Sequence, residues 1–576
     1  MLVVRASSLV SLVLALGFAG VSTPPARAGW SSGPVSVRPT TASIPAVAAC
    51  NDGGLGTFVV WQEEATSGSG ELRVNHLLPT GDFDLSWPSD GVVGCDFVAG
   101  RPEVGVLPDH LGGCYVWWTE VTAGSPSLFV THLISDGTIA TGWPTRGLLL
   151  GTVGMTARPS AIEDAAHGLY LAWSQNTVVR AHHLGPNGLG AGGWPNSPRV
   201  VVPIDPAATF HLWPDLALAP DGGIFLSWGT WSLDTTIVES GMYLRRLTTA
   251  GLNAPGWPIP SQYVGPLRPG EQIIPKAALL DISPDDRGGL FMIVGNIVAG
   301  TCCEAWAEVR LYRLLADGQT ALDWPSEGRS VAIDYWYAGY SDGGLRVYPD
   351  GRDGAIAERR EFYSDSPALT GLHRFTADGL ETFLMQGVSA GREVVVKGDG
   401  GAFMADFKPV GPTSPWDWSA FIQVDQSLAP PGWTRLIESH DEPMQQWFGD
   451  IALASTGDGG AVFFWSQYID RFGLFARRFG PAGEVTGVAP TTASLALHGL
   501  RFLSGAGVLA RVGLLGGPAR LDLFDTSGRR LASRSIDGAG IVEVALPGTA
   551  GLPSGVYFGR LVSRAGVASG KVAITR

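Results

Sequence analysis

Basic residues are in deficit in this chain, with 39 Lys and Arg against 53 Asp and Glu, and only Lys276, Lys397, Lys408 and Lys571 are lysines. A body so acidic argues against nucleic acid and anionic membrane surfaces as partners. Cysteine is scarce too. Cys50, Cys95, Cys114, Cys302 and Cys303 are too few and too irregularly spaced for a disulfide scaffold or a zinc site. Beyond the first 28 residues no apolar run reaches about 18 residues, so no transmembrane anchor is expected. No Ser-His-Asp, paired-carboxylate, P-loop or HExxH constellation is visible. The pattern calls for no metal and no cofactor. What is abundant is glycine (79), proline (40) and apolar residues (45%), a mixture too apolar for disorder and too punctuated for long helices. It predicts short strands joined by tight turns.

The N-terminus has the form of a secretory signal. Arg5 precedes an apolar stretch from Leu9 to Val21, and Ala26-Arg27-Ala28 supplies a cleavage site. Residues 1–28 are therefore expected to be removed. Without Arg5 and Arg27 the chain has 37 basic residues against 53 acidic ones, a net charge of −16. Ten of those basic residues and four of the acidic ones fall in residues 491–576, which stand at +6 while the preceding segment stands at −22. That change marks a boundary near Pro490.

Between these ends the sequence repeats. A glycine is followed five residues later by tryptophan at Gly56/Trp61, Gly113/Trp118, Gly168/Trp173, Gly223/Trp228 and Gly460/Trp465. The same frame holds without tryptophan at Gly289, Gly354 and Gly401. Many of these glycines close Asp-Gly-Gly-type turns, whose residues tolerate the positive φ of a tight hairpin. A second element begins at His76, His132, His183, Arg246, Arg313, Arg374 and Arg478, each followed by Leu or Phe and, five residues on, by glycine. In five consecutive units a Trp-Pro pair then follows, at Trp87, Trp143, Trp194, Trp257 and Trp324. Each unit of roughly 55 residues carries four short strands, the size of a propeller blade. The predicted fold is all-β: an eight-bladed β-propeller over residues 29–490, with seven blades as the alternative, followed by a small Ig-like sandwich. The array begins out of phase. Val35 to Val37 reads as a fourth strand with no blade before it, and the unit ending near Gly483 lacks one. The N-terminal strand is expected to close the ring.

Residues 491–576 contain none of the chain's 20 tryptophans. An apolar strand runs into Asp525-x-x-Gly528-Arg529, Leu552 leads to Gly555-x-Tyr557, and a strand from Lys571 ends the chain. This segment resembles the C-terminal sorting domain of type IX secretion cargo. The resemblance implies an Ig-like sandwich read by the secretion machinery, transit through the periplasm, and delivery outside the cell or to its outer surface. The repeat itself resembles an uncharacterised class of secreted bacterial repeats, which implies no activity.

The recurring His and Arg could be ligands or bases, but a slot filled in seven units is architecture. The tryptophans at repeat positions are read as core for the same reason. Thr456-x-Asp458-x-Gly460 partly resembles the Asp-box turn of sialidase-like propellers, and Asp350-Gly351-Arg352-Asp353-Gly354 a calcium loop lacking ligands. Units five to seven break the repeat and gain Tyr335, Trp336, Tyr337, Tyr340, Trp416 and Trp418, expected on loops as a ligand-binding set. A bridge between Cys95 and Cys114 and a vicinal pair Cys302-Cys303 are expected if the protein is exported. Three functions fit: a non-enzymatic binding or display propeller for a glycan or peptide, a sialidase-like or lyase-like carbohydrate-active enzyme, or a structural surface component. An enzyme should bring acidic residues and an arginine together at one end of the central channel.

Overall fold

The computed structural model describes residue 30 and most of residues 35–574. The undescribed residues are 1–29, 31–34 and internal segments, the longer of which are 203–209, 232–241, 265–278, 337–345, 410–416, 425–435 and 482–495. Eight antiparallel sheets come from the repeat. Blade 1, for example, is Val47–Asn51, Thr57–Thr66, Ser69–Leu77 and Val92–Val98, paired in that order. Blade 7 gains a short fifth strand, Met444–Gln445. Blade 8 has three strands of its own (Ile451–Ser455, Ala461–Gln467 and Gly473–Phe479), and Val35–Pro39 supplies the fourth, with Val35 opposite Ala476. The strand that the phase offset placed there closes the ring.

A four-stranded sheet this apolar must cover both faces. Eight buried clusters do so, one at each junction between consecutive blades, including blade 8 against blade 1 through Val37, Val47, Trp61, Ala452 and Phe464. The hairpin tryptophans Trp61, Trp118, Trp173 and Trp465 are fully buried in them. The Trp-Pro tryptophans reach across junctions. Trp87 Nε1 donates to Ser135 O (3.1 Å), Trp143 to Pro186 O (2.8 Å), Trp194 to Thr249 O (2.9 Å), Trp257 to Ala316 O (3.0 Å) and Trp324 to Ala377 O (3.0 Å). In each case the acceptor belongs to the turn of the next blade, two residues before its repeat glycine. Trp30 does the same for blade 1. It is 1% exposed, and its Nε1 donates to Pro79 O at 2.9 Å. The N-terminal segment thus supplies blade 8 with both its fourth strand and its clasping indole.

The glycines have two separate jobs. A Cβ at Gly81 or Gly137 would lie within 3 Å of the indole of Trp30 or Trp87, so only glycine admits the ring there. The hairpin turns do use positive φ, but not at the repeat glycine itself. Positive φ falls on the residue before, as at Gly112, Gly222 and Gly459, and even at His167 and Asp353. The repeat glycine instead lies against the third strand, where a Cβ would meet the Leu133 carbonyl at 2.1 Å for Gly113 and the Leu314 carbonyl at 2.0 Å for Gly289.

The tail is a two-sheet sandwich. Ala496–Leu503, Gly507–Leu515 and Ala539–Ala545 form one sheet. Arg530–Ile536, Ala519–Phe524, Gly555–Ser563 and Gly566–Ile574 form the other. Val508, Val512, Leu521, Leu561 and Ile574 fill its core.

Trp30→Ala is expected to destabilise the propeller by about 3 kcal/mol, the cost of truncating a buried aromatic, and urea unfolding of the purified protein measures it. An unchanged midpoint would show that the ring closes without the indole.

Candidate functional site

The repeat slot resolves into a clasp between two strands of one blade. His132 Nε2 meets Asp109 Oδ2 at 2.9 Å, His76 meets Asp52 at 3.0 Å, and His183 pairs with Asp164. Arg313 Nε donates to Asp285 Oδ2 at 2.9 Å and Arg374 Nε to Asp350 Oδ2 at 2.7 Å. The second carboxylate oxygen accepts the amides of its own turn, as Asp109 Oδ1 does from Leu111 (2.7 Å) and Gly113 (2.8 Å). One carboxylate therefore fixes the hairpin and anchors the third strand. The His or Arg side chain also covers an aromatic ring two residues after the hairpin glycine. Tyr115 stacks on His132 at 4.3 Å, and Arg313 lies over Phe291 at 5.2 Å. Burial alone would lower the pKa of His76, but its bonds to Asp52 and Asp84 outweigh that and raise it.

Five of these acids stand four residues before the glycine: Asp52, Asp109, Asp164, Asp285 and Asp350. Blades 4 and 8 use an acid two residues before it instead, pairing Asp221 with Arg246 and Asp458 with Arg478. The Asp-box-like turn and the calcium-like loop are thus two versions of one clasp. In blade 7 Lys397 occupies the acid's position and lies over Phe403 at 5.7 Å.

The break in symmetry lies at the inner edge. The first strands of neighbouring blades touch around the axis. At one register, opposite the residue four after the hairpin glycine, blades 8, 1 and 2 place Ala452, Ala48 and Gly105. Blades 3, 4, 5 and 7 place Ser160, Asp215, Asp281 and Glu393 there. In blade 6 Arg346 has that place, its carbonyl accepting from Glu358 N at 2.9 Å. Because the first strands repeat in one direction, these five residues form an arc at one level of the channel wall.

The arc is connected. Ser160 Oγ donates to Asp215 Oδ1 (2.7 Å), Ile282 N to Asp215 Oδ2 (3.1 Å) and Val347 N to Asp281 Oδ2 (2.6 Å). Burial, and then the Asp215 carboxylate beside it, push the Asp281 carboxyl well above the usual range. Arg346 stands among Tyr348, Asp281, Glu393 and Glu358. Burial keeps Tyr348 a neutral phenol. Arg346 and Glu393 are exposed, while Glu358 is buried behind them. Acidic residues and an arginine do converge on one level of the channel.

The described members of the expected aromatic set, Tyr335, Trp336 and Trp418, fall elsewhere. Tyr335 and Trp336 are not on a loop: they end the outermost strand of blade 5, Arg329–Trp336, opposite Trp306 and Ala305. Trp418 is in the third strand of blade 7, Asp417–Val424, because the four-strand frame persists after the repeat residues are lost. Tyr337, Tyr340 and Trp416 lie outside the described residues, as do Cys302 and Cys303. The expected Cys95–Cys114 bridge is not formed. Cys95 is in the outermost strand of blade 1, whereas Cys114 is a free thiol opening the second strand of blade 2, buried in one cluster with Cys50.

No family model and no curated protein matches the sequence. Solved structures resemble the fold. A polysaccharide lyase of a new family, an ulvan lyase, is 10% identical, with 71% of this chain and 93% of that chain covered at a TM-score of 0.37. The polysaccharide lyase Uly1 is 7% identical over 67% and 88% of the two chains, at 0.37. The α-L-arabinofuranosidase of Fusarium graminearum is 11% identical over 62% and 96%, at 0.29. These likenesses concern the all-β propeller and nothing finer.

Asp281 gives a pH prediction. A carboxyl whose folded pKa is raised binds more proton in the folded state, so it costs stability as pH rises from its unfolded pKa through its folded one. Asp281→Asn removes that ionisation and keeps an acceptor for Val347 N. Relative to the parent, its melting temperature should rise from about pH 4 to about pH 8. A constant difference across that range would show that Asp281 titrates normally.

Proposed function

We propose that the propeller is a carbohydrate-directed protein whose ligand seats on the arc of blades 3–7. One observation carries this reading. Five consecutive blades replace the small apolar residue of the inner ring by Ser160, Asp215, Asp281, Arg346 and Glu393. A repeat that needed only to close would repeat its small residues there too, as blades 8, 1 and 2 do. Carboxylates that accept from pairs of hydroxyls, with a guanidinium and a phenol nearby, suit a polyhydroxylated ligand.

A second reading has its own support. The Asp281 carboxyl, pushed toward its neutral form by burial and by Asp215, shares the arc with Glu393, and cleavage of a glycosidic bond needs a protonated acid with a carboxylate partner. The site therefore suits a glycosidase as well as a lectin-like binder. We further propose that residues 1–28 and 491–576 direct export, the second as a sorting domain engaging secretion machinery. This rests on the sequence motifs and on a tail that folds as its own sandwich.

A glycan array with hydrolysis assays on the purified protein tests the first reading. Glu393→Ala should weaken binding by about tenfold or more, while Trp336→Ala on the outer strand should not. Loss of binding in Trp336→Ala alone would move the site to the rim. For the tail, a chain ending at residue 490 should fold and remain in the periplasm, and its normal release would refute the sorting role.

A further inference from the structure

The arc also carries information about the charge of its ligand, and this step rests on the carbohydrate reading above. Among the described residues, Arg346 is the arc's one cation. It stands among Asp281, Glu393 and Glu358, so its charge is answered from within the protein. Asp215, Asp281 and Glu393 set three carboxyl groups against that one guanidinium, so the arc is acidic. The surrounding body is acidic as well, at −22 before the tail. A uronate or sulfate brought here would meet carboxylates and a guanidinium already paired. Ser227 adds an independent sign of an incomplete site. It lies directly across from Asp215, so both side chains leave the sheet on one face. Ser227 is fully buried, and its hydroxyl has no hydrogen-bond partner among the described residues. A buried hydroxyl left unpaired beside an acid pair is costly without something to complete the network.

We propose that the arc selects its saccharide by charge, taking a sugar that bears a protonated primary amine and turning away uronates and sulfated sugars. The ammonium group sits against the Asp215–Asp281 pair and the Glu393 carboxylate, and the ring hydroxyls bond to the remaining oxygens of the arc. Three donors on the ammonium match acceptors presented from neighbouring blades. Its positive charge supplies what the arc lacks.

Calorimetric titration of the full chain with oligomers of glucosamine, their N-acetylated counterparts and oligogalacturonate of equal length tests this. The glucosamine oligomers should bind, and more weakly as salt screens the attraction. The N-acetylated oligomers should bind about tenfold less tightly or worse, and oligogalacturonate not at all. Glu393→Gln should weaken glucosamine binding by about tenfold, whereas Arg346→Gln, which leaves the arc more negative, should tighten it. Asp90→Asn on the exposed outer turn of blade 1 serves as the control and should change nothing. Equal binding of acetylated and free-amine oligomers, or any binding of oligogalacturonate, would overturn charge selection while leaving a carbohydrate site in place. If neither these probes nor a glycan array showed a bound saccharide, the carbohydrate reading would fall with it.

Discussion

Each blade has two apolar faces and, among the described residues, no helix to cover either, so every blade depends on its neighbours and the last must find the first. The interaction that enforces this is an indole laid on a glycine. The tryptophan of one blade fills the space above a turn of the next and donates to a carbonyl in it. The indole-to-carbonyl bond recurs from blade 1 through blade 5, and Trp30 completes it at the seam. The carboxylate clasp inside every blade but the seventh is subordinate to it. The clasp holds the third strand and hairpin in the shape that presents the turn, and it varies between His and Arg, and between two acid positions, without losing its geometry.

With folding carried by these repeated contacts, the inner edge is free to vary. Small residues suffice where blades 8, 1 and 2 meet the channel, and Gly105 is required because a Cβ there would overlap the Trp117 indole. Across blades 3 to 7 the same register holds ionisable or hydroxyl side chains that bond from one blade to the next. Asp215 and Asp281 each take an amide of the following blade, as Asp450 does from Val47 at 2.8 Å, so part of their role is to join blades. A second carboxyl beside Asp215 and an arginine next to Asp281 go beyond what joining requires.

The fold was largely legible because its information is periodic. Glycine, tryptophan and His or Arg at fixed spacings repeat often enough to reveal blade length and phase, and phase alone placed Val35–Pro39 in blade 8. Two signals were present and overlooked. The acids four residues before the hairpin glycine could have been paired with the His and Arg slot, and Trp30 could have been counted with the Trp-Pro series. The arc was hidden for a different reason. Its members are unlike in chemistry, and they share a position only by strand register, which a bulge before Asp215 shifts. Loss of the repeat's tryptophans drew attention to Tyr335 and Trp336, yet the strand frame outlasted those residues and carried both to the outer edge. The cysteines misled because nearness in sequence says little where successive strands run from the axis to the rim.

The account turns on the arc being where a ligand meets the protein. Carboxylate footprinting, in which exposed acids are converted to amides and located by mass spectrometry, tests it with a saccharide bound and absent. Glu393 on the arc should be protected by the ligand, while Asp136 on an exposed turn of blade 2 should react equally in both states. Undiminished labelling of Glu393 in the saturated complex would contradict the account.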